Sequence, residues 1–201
     1  LIGTAASEWF APSEGADSLV AGSGFDFIGY GGLDVGGVRV NLGTARATDD
    51  GGAIDTILGF EGIVASFGDD TLTGNALGNI IAPGAGADSV NGAAGQDTVS
   101  YSHGFSPDGT QYEANEVGDR APVLGITLDL LTSRATDFSG SVDTIVGFEH
   151  ALGSTAGDIL RGNGVANYLG GVEGNDTIEG RAGADTLDGG KWLNDQDLAW
   201  T

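Results

Sequence analysis

Eleven acidic or amide side chains recur in this sequence at nine-residue spacing. From Gly153 the chain reads GSTAGDILR, GNGVANYLG, GVEGNDTIE and GRAGADTLD, which puts Asp158, Asn167, Asp176 and Asp185 at the sixth position of successive nonapeptides. Residues 65–100 read ASFGDDTLT, GNALGNIIA, PGAGADSVN and GAAGQDTVS, with Asp70, Asn79, Asp88 and Asp97 at position six. A looser block opens the chain: GTAASEWFA, PSEGADSLV and AGSGFDFIG offer Glu8, Asp17 and Asp26. Side chains that each offer an oxygen ligand, repeated in this way, suit a hard divalent cation, calcium above all. Ordinary β-turn aspartates would carry no reason for a nine-residue period.

These acids need elements that hold them in place. Glycines at 84, 86, 92, 95, 174, 180 and 183 stand before them and allow positive φ and close backbone approach. A turn of this kind can aim carbonyl oxygens inward, so Gly84, Gly86, Gly95, Gly174 and Gly183 join the acids as the candidate cradle. Position eight is apolar throughout: Phe10, Leu19 and Ile28; Leu72, Ile81, Val90 and Val99; Leu160, Leu169, Ile178 and Leu187. The spacing predicts a glycine-rich turn closed by a carboxylate, then a short strand whose position eight faces a core. Two such units make a coil of 18 residues, and stacked coils lie ~4.8 Å apart.

Side chains 18 residues apart then face one gap. Asp70 meets Asp88, Asn79 meets Asp97, Asp158 meets Asp176, and Asn167 meets Asp185. Glu61 and Glu149 fall at position six of degenerate units and face Asn79 and Asn167. Glu8 is placed to face Asp26, and Asp176 to face Asn194, where KWLNDQDLAWT breaks the pattern. Asparagine keeps an oxygen but loses the charge, so its sites are expected to be weaker.

The nonapeptide resembles the GGxGxDxUx repeat of the repeats-in-toxin (RTX), hemolysin-type calcium-binding family. The resemblance spans eleven units in three blocks, with family-like connectors between them. It implies an all-β fold: right-handed parallel β-roll segments in one elongated β-helical solenoid, interrupted by extra-strand connectors. It implies calcium as the bound metal, about five ions at 6–8 oxygens each. It also implies type I secretion from a Gram-negative bacterium, with the chain folding on external calcium, outside the cell or on its surface. The expected role is a calcium-binding, calcium-dependent folding module of a surface-layer, adhesin or filament-type protein. The alternative is the non-catalytic C-terminal secretion and folding module of a secreted enzyme or toxin, such as a protease, lipase or polysaccharide epimerase.

Composition points the same way. Lys+Arg is 7 and Asp+Glu is 29 in 201 residues, a net charge of -22, which repels nucleic acid and anionic membrane. Aspartate outnumbers glutamate 21 to 8, an excess of a poor helix former that is a good turn residue and ligand. The 38 glycines argue against a helical bundle, while 40% hydrophobic content at regular intervals argues against disorder. Only 4 prolines and no G-x-y period exclude collagen. There is no cysteine, hence no disulfide or thiol chemistry, and no apolar run of transmembrane length. The chain begins mid-pattern at Leu1 and reads as a fragment or processed product. Without metal the carboxylates repel one another and the glycine turns lose much backbone entropy on ordering, so metal binding should be coupled to folding.

A longer repeat overlies the short one. Residues 37–100 align with 125–188 at a constant offset of 88, and 27 of 64 positions are identical, which marks a duplicated unit. The expected segments are a roll at 1–30, a connector with a strand at 31–64, a roll at 65–101, a long loop and connector at 102–152, and a roll at 153–201. Val38, Val40 and Leu42, like Ile126, Leu128 and Leu130, alternate as a half-buried strand would. The step from Tyr101 to Ile126 carries 17 residues more than that from Tyr30 to Val38, and the insertion reads as a surface loop.

Other residues carry plainer expectations. His103 and His150, 47 residues apart, read as structural or exposed rather than as zinc ligands or bases. Arg46 and Arg134 should pair with local carboxylates. Phe60 and Phe148 should fill the core, and Tyr30 and Tyr101 should pack at the ends of rolls. Trp192 and Trp200 read as a cap on the last apolar layer, with a carbohydrate platform as the alternative. Self-association and a surface polysaccharide are thus the partner expectations besides calcium. No Ser/His/Asp set has a supporting signature, and calcium accounts for the acidic pairs, so no catalytic residues are expected.

Overall fold

The computed structural model describes residues 1–31, 36–102 and 124–190. The first block forms β1 (Trp9–Phe10), β2 (Ser18–Val20) and β3 (Phe27–Gly29). The segment up to residue 64 adds β4 (Arg39–Asn41), β5 (Arg46–Thr48), β6 (Ile54–Leu58) and β7 (Gly62–Val64). The second block forms β8 (Thr71–Thr73), β9 (Ile80–Ala82), β10 (Ser89–Asn91) and β11 (Thr98–Ser100). Next come β12 (Thr127–Asp129), β13 (Arg134–Thr136), β14 (Val142–Val146) and β15 (His150–Leu152). The third block closes with β16 (Ile159–Arg161), β17 (Tyr168–Gly170), β18 (Thr177–Glu179) and β19 (Thr186–Asp188).

The fold is all-β, two facing and largely parallel sheets in the manner of a β-roll. Among the described residues, one sheet has eight strands in the order β1-β3-β7-β9-β11-β15-β17-β19. The other has eleven, in the order β18-β16-β12-β13-β14-β10-β8-β4-β5-β6-β2. Within the blocks the register is 18 residues: Thr71 pairs with Ser89, Ile80 with Thr98, Ile159 with Thr177 and Tyr168 with Thr186, all in parallel. Successive nonapeptides thus alternate between the sheets.

The core is the row of position-eight side chains. Leu72, Ile81, Val99, Leu160 and Leu169 are fully buried, each stabilising the fold by roughly 1.5–3 kcal/mol. The row thins at the end: Ile178 is partly buried and Leu187 is 49% exposed. Phe60 and Phe148 are buried as expected, as are Val38, Val40, Leu42, Ile126, Leu128 and Leu130.

Each connector proves to be more than one strand. β4, β5 and β6 form an antiparallel meander inside the larger sheet, with β4 parallel to β8 and β6 parallel to β2. The chain therefore steps ahead along the solenoid, then walks back to rejoin the first block. β12, β13 and β14 repeat the manoeuvre between β16 and β10. Each meander puts two more strands into that face than simple alternation requires.

Two expectations need correction. Gly92 and Gly180 are not left-handed; glycine is required there because a Cβ would strike the Asp97 and Asp185 side chains and, at Gly92, the Gly147 carbonyl. Arg46 and Arg134 are exposed, and the ion pairs among the described residues are instead Arg161–Glu179 and Arg181–Asp129. His103, most of the 102–125 insertion, Trp192, Asn194 and Trp200 lie outside the described residues. No helix among the described residues is long and apolar enough to cross a membrane.

Candidate metal centre

Position-six side chains form ladders up both edges of the solenoid. In the open turns each reaches back to the main chain of the coil before it. Asp88 Oδ1 accepts from the Asp70 amide at 2.8 Å, Asp97 from Asn79 at 2.8 Å, Asp176 from Asp158 at 2.9 Å, and Asp185 from Asn167 at 3.0 Å. Asp26 accepts from the Glu8 amide at 2.8 Å. The expected partners are thus adjacent, but the link runs from side chain to backbone. Glu61 and Glu149 lie beside Asn79 and Asn167 only through their carbonyls, which accept from the Asn Nδ2 groups at 3.1 and 2.8 Å. Their carboxylates turn the other way, to the amides of Asp26 (3.0 Å) and Asp97 (3.1 Å).

The turns below these acids fall into two kinds, and position two separates them. In the first kind a polar residue there donates its amide to position six. These pairs are Thr4 with Glu8, Ser13 with Asp17, Ser66 with Asp70, Asn75 with Asn79, Ser154 with Asp158, and Asn163 with Asn167. The serine hydroxyls add a second bond, 2.7 Å from Ser66 to Asp70 and 2.8 Å from Ser154 to Asp158. In the second kind position two is left-handed: Gly22, Gly84, Ala93, Val172 and Arg181. Position four is left-handed as well, at Gly24, Gly86, Gly95, Gly174 and Gly183. No such cap reaches the acid that follows, and Oδ2 of Asp26, Asp88 and Asp176 is buried with no hydrogen-bond partner.

Carbonyl oxygens of the preceding coil crowd these open turns. A Cβ on Gly84 would strike the Ser66 carbonyl, one on Gly86 would come 2.5 Å from the Gly68 oxygen, and one on Gly24 would come 2.6 Å from that of Ala6. Among the described residues, no three Asp, Glu or His side chains converge closely enough to hold an ion by themselves. An ion here would need main-chain carbonyls beside the carboxylate. That all-oxygen donor set fits calcium, and it lacks the nitrogen or sulfur that zinc prefers. His150 does not enter the site; its Nδ1 accepts from the Tyr168 amide at 3.0 Å.

The electrostatics report the same deficit. Burial pushes Asp88 up to about 8; the Asp70 amide opposes this, and the charges of Asp143, Asp70 and Asp137 add to it. Burial raises Asp70, Asp97 and Asp143 to about 6, and raises Asp26, Asp158, Asp176 and Glu61. Asp129 shows what a cation does: the Arg181 guanidinium holds it down at about 2.

Three carboxylates escaped the sequence reading. Asp55 and Asp143, both fully buried, accept from the amides of Asp17 and Asp88 at 2.9 Å each. Asp55 also accepts the Tyr30 hydroxyl at 2.9 Å, and Asp143 the Tyr101 hydroxyl at 2.6 Å. Asp137 accepts the Gly86 amide at 3.1 Å. A signal was present for the first two: Asp55-Thr56-Ile57 and Asp143-Thr144-Ile145 copy the D-T-aliphatic end of the nonapeptide. They lie out of nine-residue register with the blocks, which hid them.

A family model described as RTX calcium-binding nonapeptide repeat (4 copies) matches residues 13–32 and 161–191. The block at 65–100 lies outside those matches, although its strands keep the same 18-residue register. No curated protein matches the chain.

Proposed function

From the premise that the chain carries RTX calcium-binding nonapeptide repeats, we propose that it is a calcium-dependent folding and structural module of a secreted or cell-surface protein. These repeats are calcium-binding and non-catalytic. The observation that carries the proposal is the unpartnered, buried Oδ2 of Asp26, Asp88 and Asp176, each in an open, left-handed turn. One ion would sit at each open turn, beside Asp26, Asp88, Asp97, Asp176 and Asp185. The capped turns ending in Glu8, Asp17, Asp70, Asn79, Asp158 and Asn167 are complete in themselves; several of them supply the carbonyl floor for the open turn above. Gly84, Gly86, Gly95, Gly174 and Gly183 shape the cradle, while Glu61 and Glu149 bind the connectors to the ladder.

The parent we favour is a surface-layer, adhesin or filament-type protein exported by a Gram-negative bacterium. The near-regular duplication at offset 88 supports this, since it makes a lengthening scaffold. Self-association and surface polysaccharide are the partners such a scaffold would meet. Far-UV circular dichroism in chelator and in millimolar calcium tests the module's role. We expect little β-structure without calcium, a cooperative gain with it, and a poor response to magnesium, which demands tighter octahedral geometry. An identical folded spectrum in chelator would overturn the proposal.

A further inference from the structure

The two connectors place the same patch on the outer face of the eleven-stranded sheet. Arg46, Ile54 and Leu58 recur as Arg134, Val142 and Val146, at the constant offset of 88. The residues between them on each strand are buried in the core, so strand alternation turns all six outward. Ile54 and Leu58 are each 47% exposed, Val142 40% and Val146 37%. Arg46 stands opposite Thr56, and Arg134 opposite Thr144. Arg39 on β4 joins the first patch as a diagonal neighbour of Arg46. In the sheet order β6 and β14 are separated by five strand spacings, about 24 Å.

Charge sets this face apart. The chain carries a net charge of -22, yet from β6 across to β13 no outward strand position is acidic. Every arginine among the described residues lies on this sheet or, in the case of Arg181, reaches it from a turn to bond Asp129. The strands of the eight-stranded sheet carry none. The outward acids of the larger sheet, Glu179 and Asp129, are taken by Arg161 and Arg181. Arg39, Arg46 and Arg134 are exposed and pair with no carboxylate among the described residues. Strand propensity accounts for the threonines and valines around them, but not for the gathering of arginine on one sheet. Arginine beside aliphatic side chains, without lysine, aspartate or glutamate, matches the composition of a protein interface.

We propose that this face docks a second copy of the chain, through the acidic edge at which the parallel strands of the same sheet begin. Glu14, Asp50 and Glu173 are exposed in the turns that lead into β2, β6 and β18, and none of them forms an ion pair among the described residues. Every copy therefore carries both halves of the contact: guanidinium forks on the face and carboxylates on the edge. Face and edge are different surfaces, so the contact is head-to-tail, the kind that builds open arrays when its rotation does not close. The repeated patch gives each copy two anchors. An acidic polysaccharide would also offer carboxylates, but not the aliphatic contacts that suit Ile54, Leu58, Val142 and Val146. The inference rests on the structural-module reading and names the surface through which such a module self-associates.

Sedimentation velocity of the whole chain in calcium tests it. The parent chain should associate as its concentration rises, and less so as salt rises from about 0.05 to 0.5 M. Arg46→Glu/Arg134→Glu and Glu14→Arg/Asp50→Arg/Glu173→Arg should each weaken association by about tenfold or more, because like charges then meet. An equimolar mixture of the two variants should associate again, since the reversed face meets the reversed edge. The substituted side chains are all exposed, so circular dichroism in calcium should match the parent chain. Undiminished association in the arginine variant, or no recovery in the mixture, would overturn the interface. A monomeric parent chain would overturn it too, and polygalacturonate binding by that monomer, lost in the arginine variant, would assign the face to an acidic polysaccharide. A chain that folds on calcium but stays monomeric leaves the module reading standing. A chain equally folded in chelator strikes that reading, and the mixture still decides the contact.

Discussion

Asp88 and Asp70 lie one coil apart, and they use the same chemistry differently. Asp88 Oδ1 takes the Asp70 amide at 2.8 Å, and its Oδ2 takes nothing. Asp70 is saturated by the amides of Val38 and Ser66 and by the Ser66 hydroxyl. One carboxylate is filled by hydrogen bonds and the other keeps one buried oxygen bare.

That difference predicts opposite mutant behaviour. Asp88→Asn keeps the oxygen that accepts from Asp70, so stability in chelator should change little, while calcium affinity at that site falls by about tenfold or more with the loss of ligand charge. Asp70→Ala abandons three buried donors and should destabilise the fold by about 3 kcal/mol, even in calcium. Chemical denaturation and calcium titration of the two variants check this.

The second prediction concerns pH. The carboxyl of Asp88 is raised from 3.8 to about 8 in the fold. In chelator the folded state therefore holds a proton that the unfolded chain gives up. The associated stability is complete below about pH 4 and is lost as pH rises toward about 8. Calcium behaves in the opposite sense: protons compete with it, so its affinity should rise between about pH 6 and 8, with proton release on binding. Thermal melts in chelator and titrations in buffers of different ionisation enthalpy measure both effects.

Val172 offers a third test. It sits at φ 75°, where glycine stands in the equivalent turns at 22 and 84. Val172→Gly removes the strain of a β-branched residue in left-handed backbone, which exceeds the entropy glycine costs. The calcium-bound protein should gain about 1 kcal/mol in denaturant melts. A loss would mean that Val172 packing outweighs its backbone strain.

A fourth prediction concerns the first connector. Among the described residues, the Tyr30 hydroxyl, 2.9 Å from Asp55 Oδ2, is one of two groups that bond that buried carboxylate. Tyr30→Phe should cost about 1–3 kcal/mol by leaving the oxygen unpaired. It should leave the calcium stoichiometry unchanged, because the turn below is capped by Ser13.

The nonapeptide period by itself determined the 18-residue coil, the alternation between two sheets and the buried row of Leu72, Ile81, Val99, Leu160 and Leu169. These follow from local spacing, because a turn and a short strand repeat the same geometry wherever the same nine residues occur. The first strand of each connector was legible too, from its period of two. Only the tertiary structure decided which acids go uncapped. That depends on the backbone handedness of position two, and Ala93, Val172 and Arg181 adopt the left-handed form without being glycine. Only the tertiary structure brought Asp55, Asp137 and Asp143 to the ladders, since the backward walk of each antiparallel meander sets a register that no local period encodes. Long-range pairing, not residue type, turned these connector aspartates into neighbours of Asp17 and Asp88.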